Sequence, residues 1–155
     1  MAVTLNAAFK YDPNQVINGT FGELSADGKT ILETVSSSGK IEKEYSDVDV
    51  CGTLMKGQKL TGISISGEFK TNYRGNVIEA NEIENLAAGK DTSHELTSKL
   101  ADPAAFGGKY DYVRYMGVKF KEIQGHDWEA GKLGERTYSW TATGMQLINI
   151  VEYTY

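Results

Sequence analysis

At 155 residues the chain is long enough for one domain with a sizeable core, and 40% apolar against 24% charged residues is the balance of a soluble globular protein. With 16 Lys and Arg against 21 Asp and Glu the net charge is −5, which excludes a basic surface of the kind that grips a phosphate backbone. No run approaches the roughly 20 apolar residues of a membrane span, the first ten residues carry no basic leader ahead of an apolar stretch, and the single Cys51 has no intrachain partner. The expectation is therefore folding in a reducing cytoplasm with no membrane insertion.

Residues 1–18 read as an arm, because Val3, Leu5, Ala7, Ala8 and Phe9 are apolar yet follow neither the helical nor the strand period. Strand patterning begins near Gly19. Segments 21–25 and 30–35 flank Asp27-Gly28, a two-residue turn that needs positive φ, and 36–39 (Ser-Ser-Ser-Gly) reads as a second turn. A strand over 41–50 follows, in which Ile41, Lys43 and Tyr45 alternate with Glu42, Glu44 and Ser46. Residues 53–59 form a loop carrying Leu54, Met55, Lys56 and Gly57, and apolar side chains at an exposed tip mark an interaction site.

The clearest strand is 60–73. Ile63, Ile65, Phe69 and Tyr73 share one parity, opposed by Ser64, Ser66, Glu68, Lys70 and Asn72, so one face is buried and the other must meet water. Gly67 interrupts the apolar face and marks a bend or bulge. A helix is predicted over 77–88, with Asn76 and Glu79 as a box-like start and Gly89-Lys90 as the stop. Its stripe of Val77, Ala80, Ile83, Leu86 and Ala87 is predicted to cover a sheet. A short strand at 95–100 and a loop through Pro103 to Gly108 come next. Two long strands follow: 109–123, with Tyr110, Tyr112, Met116, Val118 and Phe120 on one face, and 135–145, with Tyr138, Trp140 and Ala142 opposite Thr137, Ser139, Thr141 and Thr143. Loop 124–134 joins them, and a C-terminal extension, 147–155, adds Leu147, Ile148, Ile150 and Val151.

This pattern is α+β, mainly antiparallel β, in a single domain over 1–155. Several strands exceed the usual five or six residues, and long strands with one polar face fit a sheet that continues through neighbouring subunits. No chemistry is expected. His94, His126 and Cys51 lack metal-ligand spacing, and His126-Asp127 lies in a Gly-flanked loop. Gly107-Gly108-Lys109 lacks the rest of a phosphate loop. The pairs Glu42/Glu44 and Asp47/Asp49 lack calcium-loop geometry and read as a solvated face. Catalytic, cofactor and metal residues are accordingly none, and the chain is not expected to be an enzyme. Tyr110, Tyr112 and Tyr115 leave a second reading open, a monomeric β-barrel or sandwich module that binds carbohydrates or small apolar ligands.

Gly22 with Asp27-Gly28, the run Ser46-Asp47-Val48-Asp49-Val50-Cys51-Gly52, then Lys59-Leu60-Thr61-Gly62 and Gly67, resemble the tail tube proteins of contractile phages, defective prophage particles and R-type bacteriocins of Gram-positive bacteria. By motif the resemblance spans residue 19 to about 76. Beyond that only the order of elements agrees, and the aromatic C-terminal extension and Tyr-rich strand depart from it. The resemblance implies a tail-tube-type β-sandwich or barrel with one packed helix, joined in a hexameric ring with a shared inner β-barrel. Rings would stack into a hollow conduit for DNA, effectors or ions inside a contractile sheath. Implied partners are the sheath, tape-measure, baseplate and tail-terminator proteins, with transient non-specific DNA passage, and the implied location is the virion tail or bacteriocin particle. On that expectation Leu54, Met55, Lys56 and Gly57 reach an adjacent subunit or the next ring. Ser64, Ser66, Glu68, Lys70, Glu42 and Glu44 line the lumen, making it electronegative. Val3, Leu5, Phe9, Leu147, Ile148, Ile150 and Val151 become ordered on assembly.

Overall fold

The computed structural model describes residues 2, 3, 5, 12–105 and 109–151. Within them the chain forms β1 (Gly22–Ala26), β2 (Lys29–Thr30), β3 (Thr34–Val48), β4 (Gly57–Asn72), α1 (Val77–Ala87), β5 (His94–Leu100), β6 (Asp111–Phe120), β7 (Glu135–Ala142) and β8 (Gly144–Leu147). The strands run β2-β1-β5-β6-β7-β4-β3 with β8 also beside β6, every pairing is antiparallel, and β3 ends the row with its outer edge unpaired by any described strand. The fold is α+β and mainly antiparallel, and the sheet does not close on itself.

One face of this curved sheet holds the core. Leu24 from β1, Phe69 from β4, Leu96 from β5, Tyr115 and Val118 from β6, and Tyr138 and Trp140 from β7 are all buried. Phe69 stacks on Tyr138 at 4.9 Å between ring centroids, and Tyr115 tilts against Trp140 at 4.7 Å. Such ring pairs add about 0.5–1.5 kcal/mol beyond the area they bury. The alternation read in 135–145 holds, since Arg136, Tyr138 and Trp140 point inward.

Residues 36–39 are not a turn. They continue β3 and pair with Lys70 to Gly67 of β4, after a register shift between Thr34 and Ser36. Nor does Gly67 bend the strand, for it faces Gly39 across the ladder, and a Cβ on it would lie 2.2 Å from the Ser38 carbonyl oxygen and 2.5 Å from Trp140 Cζ2. Two facing glycines thin the sheet where the Tyr115 and Trp140 rings press against it.

Sequence alternation also misplaces part of β6. Met116 lies outside the core and Tyr115 inside, because Gly117 takes φ +62 and forms a bulge between the pairs Leu96↔Tyr115 and His94↔Val118. An extra residue reverses the parity on one side of it. At this kink β6 exchanges one neighbour for another: residues 113–116 pair with β8, while Lys119 and Phe120 pair with β7.

Helix α1 stops as expected. Lys90 N–H donates to the Asn85 carbonyl and Gly89 N–H to that of Leu86, with Gly89 at φ +73, a Schellman ending. Its start differs: the Asn76 side chain makes no capping bond. Its orientation differs more. Val77, Ala80, Ile83, Leu86 and Ala87 all face solvent, and the buried residues are Glu79 and Glu82.

Assembly surfaces and the cleft under the helix

β3 and β4 form a hairpin of 15 and 16 residues that outruns the core. Near its base Phe69 and Thr71 are buried, whereas beyond Ile65 both strands are exposed on both faces apart from the part-buried Gly62. Register continues regardless. Ile41 faces Ile65, Lys43 faces Ile63 and, past a bulge between Glu44 and Tyr45, Tyr45 faces Leu60. Ile41, Tyr45, Leu60 and Ile63 thus extend the core-facing side of the sheet into solvent, Ile63 being 62% exposed. At the tip, residues 49–56, Leu54 is fully exposed and Met55 is 80% exposed, with Lys56 Nζ 3.9 Å from an Asp49 carboxylate oxygen. Cys51 is also exposed there, and Gly57 is the first residue of β4.

Pairing brings the predicted polar residues onto one surface. Glu42 stands opposite Ser64, Lys40 opposite Ser66, Ser38 opposite Glu68 and Ser36 opposite Lys70, and Glu44 follows opposite Gly62. On the other flank Thr137, Ser139 and Thr141 of β7 meet Lys70, Glu68 and Ser66. Since Phe69 points into the core, this surface is the sheet's outer side. Lys40 binds Glu42 at 2.7 Å and Lys70 approaches Glu135 at 3.6 Å, which leaves Glu44 and Glu68 without an ion pair among the described residues.

Terminal segments behave unequally. Val3 and Leu5 are exposed, and Phe9 lies outside the described residues, as do Gly107 and Gly108. At the end of the arm Asn18 N–H donates to Asp102 Oδ2 at 2.9 Å. Leu147 closes β8, and Ile148 N–H donates to the Tyr112 carbonyl, so the extension begins as part of the sheet. Leu147, Ile148 and Ile150 still expose their side chains, and Val151 is half-buried.

Sequence reading missed the chemistry beneath α1. A cleft of about 510 Å³ lies between the helix, the β1–β2 turn and the sheet, lined among others by Asp27, Glu33, Glu79, Glu82 and His94. Glu79 accepts a short hydrogen bond from the Tyr138 hydroxyl at 2.5 Å and lies 4.0 Å from Arg136, whose guanidinium donates to the Gln124 carbonyl. Burial and then the Glu79 carboxylate push the Tyr138 hydroxyl well above its usual pKa. His94 is held on both sides, Nδ1 by Asp27 Oδ2 at 2.7 Å and Nε2 by Glu82 Oε1. Nothing in local spacing announces this contact, because the β1–β5 register brings Asp27 beside His94 from 67 positions away. Among the described residues no group of three or more His, Cys, Asp or Glu is arranged to hold a metal ion.

The aromatic set does not converge on a ligand site: Tyr115 is buried against Trp140, and Tyr110 packs on Tyr112 and under the Lys99 ammonium. Comparison with known proteins points elsewhere. Residues 10–149 match the family described as phage tail tube protein. Chains in three solved particles share the fold. One, from the cryo-EM structure of the anti-feeding prophage cap, is 12% identical with a TM-score of 0.70, covering 97% of this chain and 100% of that one. Another, from the sheath–tube complex of an extracellular contractile injection system in the extended state, is 13% identical with a TM-score of 0.67, covering 90% and 100%. A third, from the virion of a native gene transfer agent, is 12% identical with a TM-score of 0.59, covering 85% and 98%. No curated protein matches the sequence.

Proposed function

Because the chain belongs to the phage tail tube family, we propose that its copies form hexameric rings that stack into a hollow tube inside a contractile sheath. Its role is structural rather than catalytic. The observation that carries this reading is the distal half of the β3–β4 hairpin, where an apolar stripe of Ile41, Tyr45, Leu60 and Ile63 continues from the core and stays exposed, with no described element over it. Each of the four is about half exposed, so covering what remains is worth on the order of 1 kcal/mol per side chain, roughly half the figure for full burial. A second copy placed against the hairpin covers them and pairs the free β3 edge. Closing edges in this way is how barrels avoid uncontrolled strand addition.

The remaining surfaces follow from that arrangement. If the sheets join side by side with the core-facing side outward, the surface of Ser64, Ser66, Glu68, Lys70, Glu42 and Glu44 lines the lumen. Glu44 and Glu68 then tip the wall towards negative potential, which lets a nucleic acid or acidic cargo slide without adhering. Leu54, Met55, Lys56 and Gly57 meet an adjacent subunit. The arm with Val3, Leu5 and Phe9, and the stretch of Leu147, Ile148, Ile150 and Val151, bury their apolar side chains between copies.

Similar chains come from a sheath–tube complex, a tube-terminating cap and a baseplate, which supports sheath, terminator and baseplate proteins as partners here. A tape-measure protein and DNA would occupy the bore, and subunits would assemble in the host cytoplasm before residing in the tail particle. Electron microscopy of the purified full chain tests the proposal. Hollow tubes of six-fold symmetry with Glu68 on the inner wall are the expected result. Monomers at every concentration, or Glu68 on the outer wall, would overturn it.

A further inference from the structure

His94 carries one N–H when neutral, yet both its ring nitrogens face carboxylate oxygens, Asp27 Oδ2 on Nδ1 and Glu82 Oε1 on Nε2. A carboxylate only accepts, so both contacts are hydrogen bonds only when the ring is an imidazolium with two N–H groups. The three residues belong to three elements. Asp27 sits at φ +50 in the β1–β2 turn and is fixed there by the Glu95 N–H on its Oδ1 at 3.0 Å, His94 begins β5, and Glu82 is a buried residue of α1.

We propose that His94 is a pH-operated latch that fastens α1 to the β1–β2 turn in its doubly protonated form and lets go when the ring releases a proton to water. The helix is dependent on such a fastening because its apolar stripe faces away from the sheet. Its hold on the body comes from few side chains, namely Glu82 on His94, Glu79 on Tyr138, the partly buried Ile78, and Asn85 on Thr92. Loss of one carboxylate bridge therefore removes a large share of what seats it.

The groups facing His94 favour the charged ring. Asp27 and Glu82 bond it directly, the Phe120 ring of β6 packs on it with centroids 5.2 Å apart, and Glu79 lies on the same face of the helix but is engaged by Tyr138. Nearby cations are committed elsewhere, Arg74 to Glu33, Lys119 to Asp91 and Arg114 to Glu95, and Lys29 lines the cleft without an ion pair among the described residues. Burial opposes the charge, but the bonds to Asp27 and Glu82 outweigh it and the pKa of His94 is raised above 6.5. The linkage has a definite sign. A raised value in the folded state gives stability that is complete below about pH 6.5 and is lost as pH rises through the folded value. On the acid side burial again opposes, but the Glu95 N–H and His94 lower the Asp27 pKa, so its share is present above 3.8 and lost as pH falls through the depressed value.

Thermal unfolding of the full chain between pH 5.5 and 9.5 tests the latch, comparing the natural sequence with His94→Gln and with His126→Gln. Each pH unit by which the folded value exceeds the unfolded one is a tenfold change in the unfolding constant, or about 3–5 °C in Tm for a chain of this size. The expected result is a Tm that falls from pH 6.5 to 9 in the natural chain and in His126→Gln, and falls less by about that amount in His94→Gln. NMR titration of the ring resonances of the unmutated chain gives a second readout that needs no variant to fold, with His94 titrating above pH 6.5. Parallel Tm profiles for the natural chain and His94→Gln, or a His94 titration at or below pH 6.5, would overturn the proposal.

Discussion

The two halves of the β3–β4 hairpin have the same alternating pattern and opposite surroundings. Near the base, Phe69 and Thr71 alternate with Glu68 and Lys70, and the inward residues meet Tyr138, Trp140 and the rest of the core. Further out, Ile63 and Ile41 alternate with Ser64 and Glu42, and among the described residues the inward side chains are left largely exposed. Period-two alternation records that a strand has a dry side and a wet side. It does not record whether the dry side is covered by the same molecule. In this hairpin the lower half is completed by folding, and on the proposed assembly the upper half is completed by association.

Five variants separate the halves. The largest effect is expected from Phe69→Ala, which leaves a void beneath the sheet and should cost about 3–5 kcal/mol in urea unfolding. Ile63→Ala, on the same strand and parity, should stay within about 0.5 kcal/mol; similar losses at the two sites would erase the distinction. Gly67→Ala comes next at about 1–3 kcal/mol, because its Cβ must displace the Ser38 carbonyl or Trp140. Its distal counterpart Gly57→Ala meets only the Val48 carbonyl oxygen, at 3.9 Å, and should leave the unfolding midpoint where it was. A small effect on stability is also expected from Leu54→Asp with Met55→Asp at the tip, again within about 0.5 kcal/mol. That double variant should nonetheless fail to polymerise under the electron microscope, and tubes of ordinary length from it would take the tip out of the interface.

The same distinction explains what could be read in advance. Strand 135–145 and the base of 60–73 were legible because their inward residues pack against one another, so pattern and burial agree there, whereas Ile63 and Tyr73 share the buried parity and are exposed. Helix α1 was legible in position and not in orientation. The reading assumed that Val77, Ile83 and Leu86 seek the chain's own sheet, whereas Glu79 and Glu82 face it and find Tyr138, Arg136 and His94 there. The bulge at Gly117 was invisible because a single glycine in an apolar run carries no sign of its φ, and with it went the true parity of Tyr115 and Met116. His94 was passed over since its partners are supplied by strand register and by a helix that comes from elsewhere in the chain.

The order of pairing along the sheet has a consequence in time. Phe69 of β4 finds its stacking partner only when Tyr138 of β7 arrives, and β1 waits in the same way for β5, Leu24 facing Ser98 across the ladder. Pairings between such distant positions slow the search for the native state, and sheets dominated by them take milliseconds to seconds. During synthesis the β3–β4 hairpin is therefore complete well before anything covers Phe69. In that interval the lysines and glutamates spaced along β3, Lys40, Glu42, Lys43 and Glu44, are what keep its open edge from capturing the wrong strand. The charged edge protects the nascent chain first and only later awaits a neighbour.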